Sequence, residues 1–407
     1  MFGPPVNAFG QFRGIQCRRA VGSVHLAWAL PRGQLRDLNV SIDVQTEQPD
    51  SPSVQTTKDK MTPYRVVQWS TGNIGRRALG ILLDRDAFEV VGVHAFGSDK
   101  VGCDAGLLAL AERPPIGLTA TSDVDALLEL APDCVNYMPR VIDHQLVARM
   151  LRRGINVVTT GDFLTGTHHP AERAALEGAA QEGRATFLGT GFEPGFINVV
   201  AGFLTGACRQ VHHVKLVETL DCTTYPVQDV WKVLGFGKAP RQRVTPIDPA
   251  TQRYGLGYFE TLDMIATMLG VELDAKEAFV ENAVLTEDLK LGWVDYAAGT
   301  VGGQRRTYRG LRNGRPVVEL AICWTMSHDA LDPQWSDPEG FSVVIEGEPY
   351  VDAKIRFGHP GQDVMTVLMD STAVAAVNAI PFVCQARPGV ITPIDLPITG
   401  SVGALTP

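Results

Sequence analysis

The chain has 407 residues, 45% hydrophobic and 20% charged, which is ordinary globular composition at a length that allows two or three domains. Its net charge of -9 and pI of about 5.5 argue against nucleic acid as the main partner, because phosphate binding needs a basic surface. No apolar run of about 18 residues stands out, so we expect no membrane-spanning helix. The seven cysteines form no motif at metal-ligand spacing. We therefore expect no metal site and a reducing, cytoplasmic compartment.

Residues 1–60 differ from the rest of the chain. They show no periodicity and contain five prolines. The apolar run over 20–30 imitates a secretory signal, but it is short and interrupted by polar residues. We expect a disordered extension. An alternative is that Met61 is the true start, since it leads directly into the first predicted strand.

From residue 64 the chain alternates short apolar runs with amphipathic segments. The runs predict buried strands over 65–69, 89–94, 134–137, 155–159 and 185–188. The amphipathic segments predict helices over 73–84, 123–130 with Ser122 as cap, 143–153 and 170–182. This alternation predicts an α/β fold with a Rossmann doubly wound parallel sheet. We assign to this domain residues 61–193 and a returning segment, 370–407.

Beyond residue 195 the pattern changes. Apolar and polar residues partly alternate, as in β-strands, over 211–220, 316–326, 341–346 and 350–357, and the spacing over 258–269 predicts a helix. They predict a second α+β domain over 194–369, with a mostly antiparallel open sheet. Within it, segment 225–254 is rich in Gly, Pro and Arg and is typical of a lid or an interface loop. The apolar helix over 370–379 is expected to pack back on the first domain.

The turn after the first predicted strand has the form of a dinucleotide-binding fingerprint. Glycines in such a turn let the backbone approach the pyrophosphate, and the following helix directs its N-terminus at the anion. Ser70 stands where the first glycine is usual, and a plain tight turn is the alternative. The flanking strand and helix supply the required context. We expect the cofactor to contact Ser70, Thr71, Gly72, Asn73, Ile74 and Gly75.

The end of the second strand bears on cofactor choice. An acidic residue there usually bonds the ribose 2′-hydroxyl of NAD. This chain has His94 at that position, followed by Ser98 and Lys100, which suit a 2′-phosphate. We predict NADP, with NAD possible if Asp99 serves the ribose.

Two carboxylates lie where strands of the first domain end. Asp162 follows the fourth predicted strand, at the edge of the sheet where ligands bind in such folds. Capping the next turn is the alternative role. Glu193 follows the fifth strand and begins a helix with Pro194 in the first turn. It either contacts a cationic substrate or only favours the helix dipole.

Several segments resemble a known family. They are 66–75 (VVQWSTGNIG), 100–106 (KVGCDAG), 156–160 (NVVTT), 188–196 (LGTGFEPGF) and 376–381 (AVNAIP). Together they are similar to the dihydrodipicolinate-reductase-like oxidoreductases, nearest the group of 2,4-diaminopentanoate dehydrogenase and the native amine dehydrogenases. The resemblance covers about residues 64–397. It implies a Rossmann domain, a substrate and dimerisation domain, a homodimer, and NAD(P)-dependent interconversion of an amine and a carbonyl through an imine.

Two departures from the family pattern fall at the expected substrate site. The family usually has Glu in the stretch matching 160–163, and often Asn where Glu193 stands. The resemblance therefore implies Asp162 as the substrate carboxylate, with Glu193 as a second acidic contact. The His-His-x-Lys match over 212–215 lacks the glycine-rich segment of true dihydrodipicolinate reductases. Two alternatives to an amine dehydrogenase stay open. The protein either reduces a cyclic imine or is a regulatory protein that binds NADP without turnover.

Overall fold

In the computed structural model, the described residues are 62–110, 113–240, 242–247, 255–327, 329–335, 337–398, 400, 401 and 404. The expectations about residues 1–60 lie outside them. Residues Met61–Pro407 form one compact unit.

Short strands and helices alternate through the first part of the chain. In order they are β1 (Tyr64–Trp69), α1 (Asn73–Leu83), β2 (Phe88–His94), α2 (Ala105–Leu108), α3 (Val124–Glu129), β3 (Cys134–Tyr137), α4 (His144–Arg152), β4 (Asn156–Thr159), α5 (Pro170–Gly183), β5 (Thr186–Gly189) and α6 (Ile197–Leu204).

Longer strands dominate the second part. In order the elements are β6 (Gln210–Asp221), α7 (Gln228–Leu234), β7 (Val244–Pro246), α8 (Leu256–Met268), β8 (Ala275–Leu285), β9 (Leu289–Lys290), β10 (Asp295–Tyr296), β11 (Val301–Arg312), β12 (Arg315–Thr325), β13 (Leu331–Asp332), β14 (Gly340–Glu348), β15 (Val351–Ile355), α9 (Val364–Gln385) and β16 (Gly389–Ile391).

The first sheet is parallel, with strand order β16-β5-β4-β3-β1-β2. Its strands are apolar on both sides because both faces are covered. Val66 and Val158 pack with α1 and α9 on one face, whereas Val67 and Val157 pack with α4 and α5 on the other. The predicted Rossmann sheet is confirmed. β2 lies on one side of β1, whereas β3 and the later strands lie on the other side. The order of strand addition therefore reverses between β1 and β3, and such a switch point opens a crevice at the carboxyl ends of the strands.

The start of α3 corrects one expectation. The cap is Asp123, whose Oδ1 accepts from the Ala126 backbone N–H at 3.0 Å. Ser122 was predicted and is wrong, because the helix begins one residue later than expected and only Asp123 stands at its N-terminus.

The second sheet is mixed and mostly antiparallel, in agreement with the prediction. Its order is β13-β8-β11-β12-β6-β14-β15, with β7 beside β8, and among the described strands only β12 and β6 pair in parallel. β8 and β11 were not predicted. Segment 225–254, expected to be a lid or loop, contains α7 and β7.

Among the described residues, α9 alone has the length and mean hydropathy, 1.6, of a membrane-crossing helix. The sequence predicts no membrane-spanning helix, and this stays a prediction. The helix lies against the parallel sheet, where Ala373, Ala376, Val377 and Ile380 are fully or nearly fully buried. Packing within the fold thus buries one side of the helix, 39% of its most apolar window.

Candidate active site and nucleotide-binding turn

The turn between β1 and α1 is too tight for a side chain at Gly75. A Cβ built there would lie 2.1 Å from the Ser70 carbonyl oxygen. Ser70 itself has a φ of 80°, in the left-handed region that favours glycine. This explains why a fingerprint glycine is usual at that position. The turn leads directly into the N-terminus of α1, where the first backbone N–H groups have no partner within the helix and can bind a pyrophosphate.

Lys100 lies beside this turn. Its Nζ donates to the Thr71 carbonyl at 3.0 Å, which brings the ammonium group next to the predicted phosphate site. Ser98 is exposed on the same loop. His94, at the strand end, is buried and stacks on Trp69 with ring centroids 4.2 Å apart. Burial lowers the pKa of His94 to about 4, so the imidazole is neutral at physiological pH.

A cavity of about 200 Å³ lies between the carboxyl edge of the parallel sheet and the start of α8. The segments after β4 and β5 form one wall, and α8 forms the other. Asp162 and Glu193 both line it, together with Thr160, Gly161, Thr190, Gly191, Pro194, Gly257, Tyr258 and Thr372. The two carboxylates that the sequence placed at neighbouring strand ends therefore share one cavity.

Asp162 is held by the N-terminus of α8. The Gly257 backbone N–H donates to its Oδ1 at 2.9 Å, and a Cβ on Gly257 would meet the same oxygen. The surrounding protein removes water from the carboxyl and raises its pKa, the bond from Gly257 lowers it, and the charge of Glu260 raises it. The net pKa is above the ordinary value for aspartate. Asp162 thus spans the two halves of the cavity and does not act only as a local turn cap.

Glu260, on α8, fixes the segment that carries Asp162, and the sequence analysis missed it. Its carboxylate is buried and accepts four backbone N–H bonds. Three reach Oε2, from Leu164 (2.8 Å), Thr165 (2.7 Å) and Gly166 (3.1 Å), and His168 donates to Oε1 at 3.1 Å. The only local signal is an acidic residue at an inward position of an apolar helix.

The predicted helix start at Glu193 and Pro194 is wrong. Both residues have extended backbone angles, Gly195 has a φ of 139°, and α6 begins at Ile197. The buried Asn198 amide closes this turn, because its Oδ1 accepts from the Gly195 N–H at 2.6 Å and its Nδ2 donates to Glu193 Oε2 at 2.7 Å. Glu193 therefore projects from an irregular segment and does not cap a helix.

The other carboxylate oxygen of Glu193 is unusual. Oε1 is buried and has no hydrogen-bond partner among the described residues. Burial raises the pKa of Glu193 well above the ordinary value, the charge of Glu218 raises it further, and the bond from Asn198 lowers it. An unpartnered buried oxygen on a cavity wall indicates a ligand contact or a proton. In the described part of the chain, no group of three His, Cys, Asp or Glu side chains is arranged to hold a metal ion.

The fold combines a parallel Rossmann sheet with a second, mixed sheet, and the cavity lies between the carboxyl edge of the first sheet and the start of α8. The 2,4-diaminopentanoate dehydrogenase C-terminal domain matches residues 197–405, about half of the chain. The chain belongs to this family, and the resemblance found in the sequence is confirmed.

Similar proteins agree with this assignment. An amine dehydrogenase of Streptomyces virginiae is 29% identical over 356 residues, covering 83% of this chain and 98% of that protein. The 2,4-diaminopentanoate dehydrogenase of Acetoanaerobium sticklandii is 25% identical over 364 residues, covering 84% and 96%. The structure of an amine dehydrogenase from Mycobacterium smegmatis matches with a TM-score of 0.64 and 22% identity, over 83% of this chain and 97% of that one. The last match supports the fold.

Proposed function

We propose that this protein is an NAD(P)-dependent oxidoreductase that interconverts a small-molecule amine and its carbonyl compound through an imine. The relatives named amine dehydrogenase and 2,4-diaminopentanoate dehydrogenase support this class of reaction. The observation that carries it here is Asp162, a carboxylate held at a cavity between the nucleotide-binding sheet and the second domain.

The residues of the β1–α1 turn suit a dinucleotide. Ser70, Thr71, Gly72, Asn73, Ile74 and Gly75 would hold the pyrophosphate through backbone N–H groups. When bound, the nicotinamide supplies or accepts the hydride. Ser98 and Lys100 favour NADP over NAD, because they follow the end of β2, where a ribose 2′-phosphate would lie, and that strand end carries a neutral His94 in place of an acid.

Asp162 would act on the nitrogen of the substrate. Removal of hydride from a carbon that bears nitrogen leaves a cationic iminium, which a nearby carboxylate stabilises. The same carboxylate can accept a proton from the amine. Asp is about 1.5 Å shorter than Glu by covalent geometry, so the substrate must reach further toward this wall than with a glutamate. Glu193 offers a second acidic contact across the cavity.

We also propose a cytoplasmic homodimer, formed mainly through the second sheet. Val343 and Ile345 of β14 are buried in the core, while the half-buried Val344 between them points to the opposite face. The sequence predicts that this opposite face is open, and an open apolar face favours a covering partner. Light scattering at micromolar concentration should give twice the chain mass of 44.0 kDa. A monomer would contradict this part of the proposal.

The experiment for the site compares Asp162→Asn and Asp162→Glu with the parent enzyme, on any amine that it oxidises. Asn should lower turnover by at least about tenfold, at the low end of general acid–base contributions. NADPH affinity should be unchanged, because the change lies outside the β1–α1 turn. Turnover by the Asn variant at the parental rate would show that Asp162 is only a structural residue.

A further inference from the structure

A groove of about 550 Å³ runs along the side of α9 that faces away from the parallel sheet. We call it the α9 groove. α6 and the segments that follow β15 and β16 form its other walls. Its apolar lining includes Phe196, Phe203, Phe357, Val374, Phe382 and Leu396. This size and this lining are typical of a site that binds an apolar group of a small molecule.

The groove leaves apolar surface in contact with water. On α9, Ala373 and Ile380 are buried against the parallel sheet, whereas Val374 lines the groove and is only half-buried. Across the groove, Phe196 and Phe203 are 45% and 56% exposed although they line a concave surface. An apolar occupant would remove these side chains from water, which is favourable.

Most polar side chains of the groove already have partners within the protein. Asp370 forms an ion pair with Arg77. Asn378 Oδ1 accepts from Arg85 Nη1 at 2.5 Å. The Ser371 hydroxyl donates to a backbone carbonyl of α9 at 2.8 Å. A peptide or a polar ligand would therefore lose its water here without gaining enough hydrogen bonds in return. An alkyl chain or an aromatic ring has no such cost.

The α9 groove adjoins the cavity that contains Asp162. Thr190 and Phe192, in the turn after β5, line both of them. Gly191 lies between these two residues and contributes no side chain. A Cβ built on it would lie 3.7 Å from the Thr372 Cγ2 of α9, which also lines the cavity. A substrate whose nitrogen lies at Asp162 therefore has the groove beside it, past the turn after β5.

We propose that the α9 groove binds the apolar substituent of the substrate. The substrate class is then an amine, or the matching carbonyl compound, that carries an alkyl chain or an aromatic ring too large for the cavity of about 200 Å³ alone. This inference rests on the proposed function, because Asp162 is taken to contact the nitrogen. Phe203 and Ala375, which line the groove, determine specificity for the substituent.

Turnover of n-butylamine and n-octylamine tests the proposal. Each methylene that enters an apolar site contributes about a threefold to fourfold gain. The kcat/KM of the parent should therefore be at least about tenfold higher for octylamine than for butylamine.

Two variants of the groove should lower this ratio of kcat/KM values. Ala375→Trp fills the groove with a large ring and should lower the ratio by at least about fivefold. Phe203→Ala removes an apolar contact at an exposed position, where folding is little affected, and should lower the ratio by about threefold or more. Ala175→Trp in α5 and Leu107→Ala in α2 are the matched controls at exposed positions outside the groove, and they should keep the parental ratio.

Calorimetry separates binding from turnover. The protein is saturated with NADPH, because the reduced cofactor cannot accept a hydride from an amine. Octylamine should bind at least about tenfold more tightly than butylamine, with a negative heat-capacity change that reports burial of apolar surface. Both groove variants should reduce this difference in affinity, and both controls should keep it.

Equal affinities of the parent for the two amines, or the parental ratio in both groove variants, would overturn the inference and leave the proposed function standing if butylamine is still oxidised. A changed mass of Ala375→Trp in light scattering, with the parental ratio, would assign the groove to a contact between copies of the chain and would also overturn the inference. Tight binding of octylamine that both groove variants weaken, without oxidation of any amine, would keep the groove as a binding site and refute the proposed function.

Discussion

Replacing Glu260 with Gln tests how the site is built. The carboxylate accepts four backbone N–H bonds from residues 164–168, and hydrogen bonds to a charged group contribute about 1.5–3 kcal/mol each. The four share two oxygens, so their contributions do not add. A glutamine with its oxygen in place of Oε2 keeps three neutral, weaker bonds and turns its NH₂ toward the His168 N–H.

One buried donor left without a partner costs about 1–3 kcal/mol. With the weakening of the other three bonds, we expect Glu260→Gln to lower the free energy of unfolding by about 2–4 kcal/mol, measured by urea titration. Turnover should fall as well, because the segment that carries Asp162 loses its anchor. Glu129→Gln, at an exposed site at the end of α3, is the control and should change stability by less than about 0.5 kcal/mol. Equal unfolding midpoints for the two variants would refute this account of Glu260.

Three further predictions concern the nucleotide domain. Lys100→Ala should weaken NADPH binding in calorimetry by about 1–2 kcal/mol and barely affect NADH, whereas equal losses would show that Lys100 does not contact the 2′-phosphate. Gly75→Ala should weaken the binding of both NADPH and NADH by more than about tenfold, because the added Cβ would strike the Ser70 carbonyl. The control Gly178→Ala has open space around the added Cβ in α5 and should bind both cofactors normally. Normal cofactor binding by both variants would disprove the close approach at Gly75. Removal of residues 1–60 should leave a folded, cofactor-binding protein, because 61–407 is compact by itself, and aggregation of the truncated chain would count against this.

The nucleotide domain was predictable because its strands are short apolar runs bounded by turns, and its helices bury one clear face. β8 and β11 were missed because charged residues interrupt their alternation: Lys276 and Glu277 in one, Arg305 and Arg306 in the other. Their place in the sheet is set by pairing with each other and with β12, which no local pattern reveals.

The site was predictable only in part. Asp162 and Glu193 stand at strand ends, where the fold itself points to a ligand. Glu260 accepts hydrogen bonds from residues 92 to 96 positions away in sequence, so its role depends on tertiary contacts. The helix start at Glu193 was wrong because Asn198 and Gly195 fix an irregular turn that a proline-based rule does not anticipate.

The central claim is tested most directly by a panel of amines and carbonyl compounds, with ammonia added for the carbonyls, followed by NADPH absorbance. The account predicts cofactor reduction with at least one small amine at alkaline pH and NADPH consumption with the matching carbonyl near neutral pH. Asp162→Asn should lower both rates. Tight NADPH binding without turnover of any amine or carbonyl in a broad panel would contradict the proposed function.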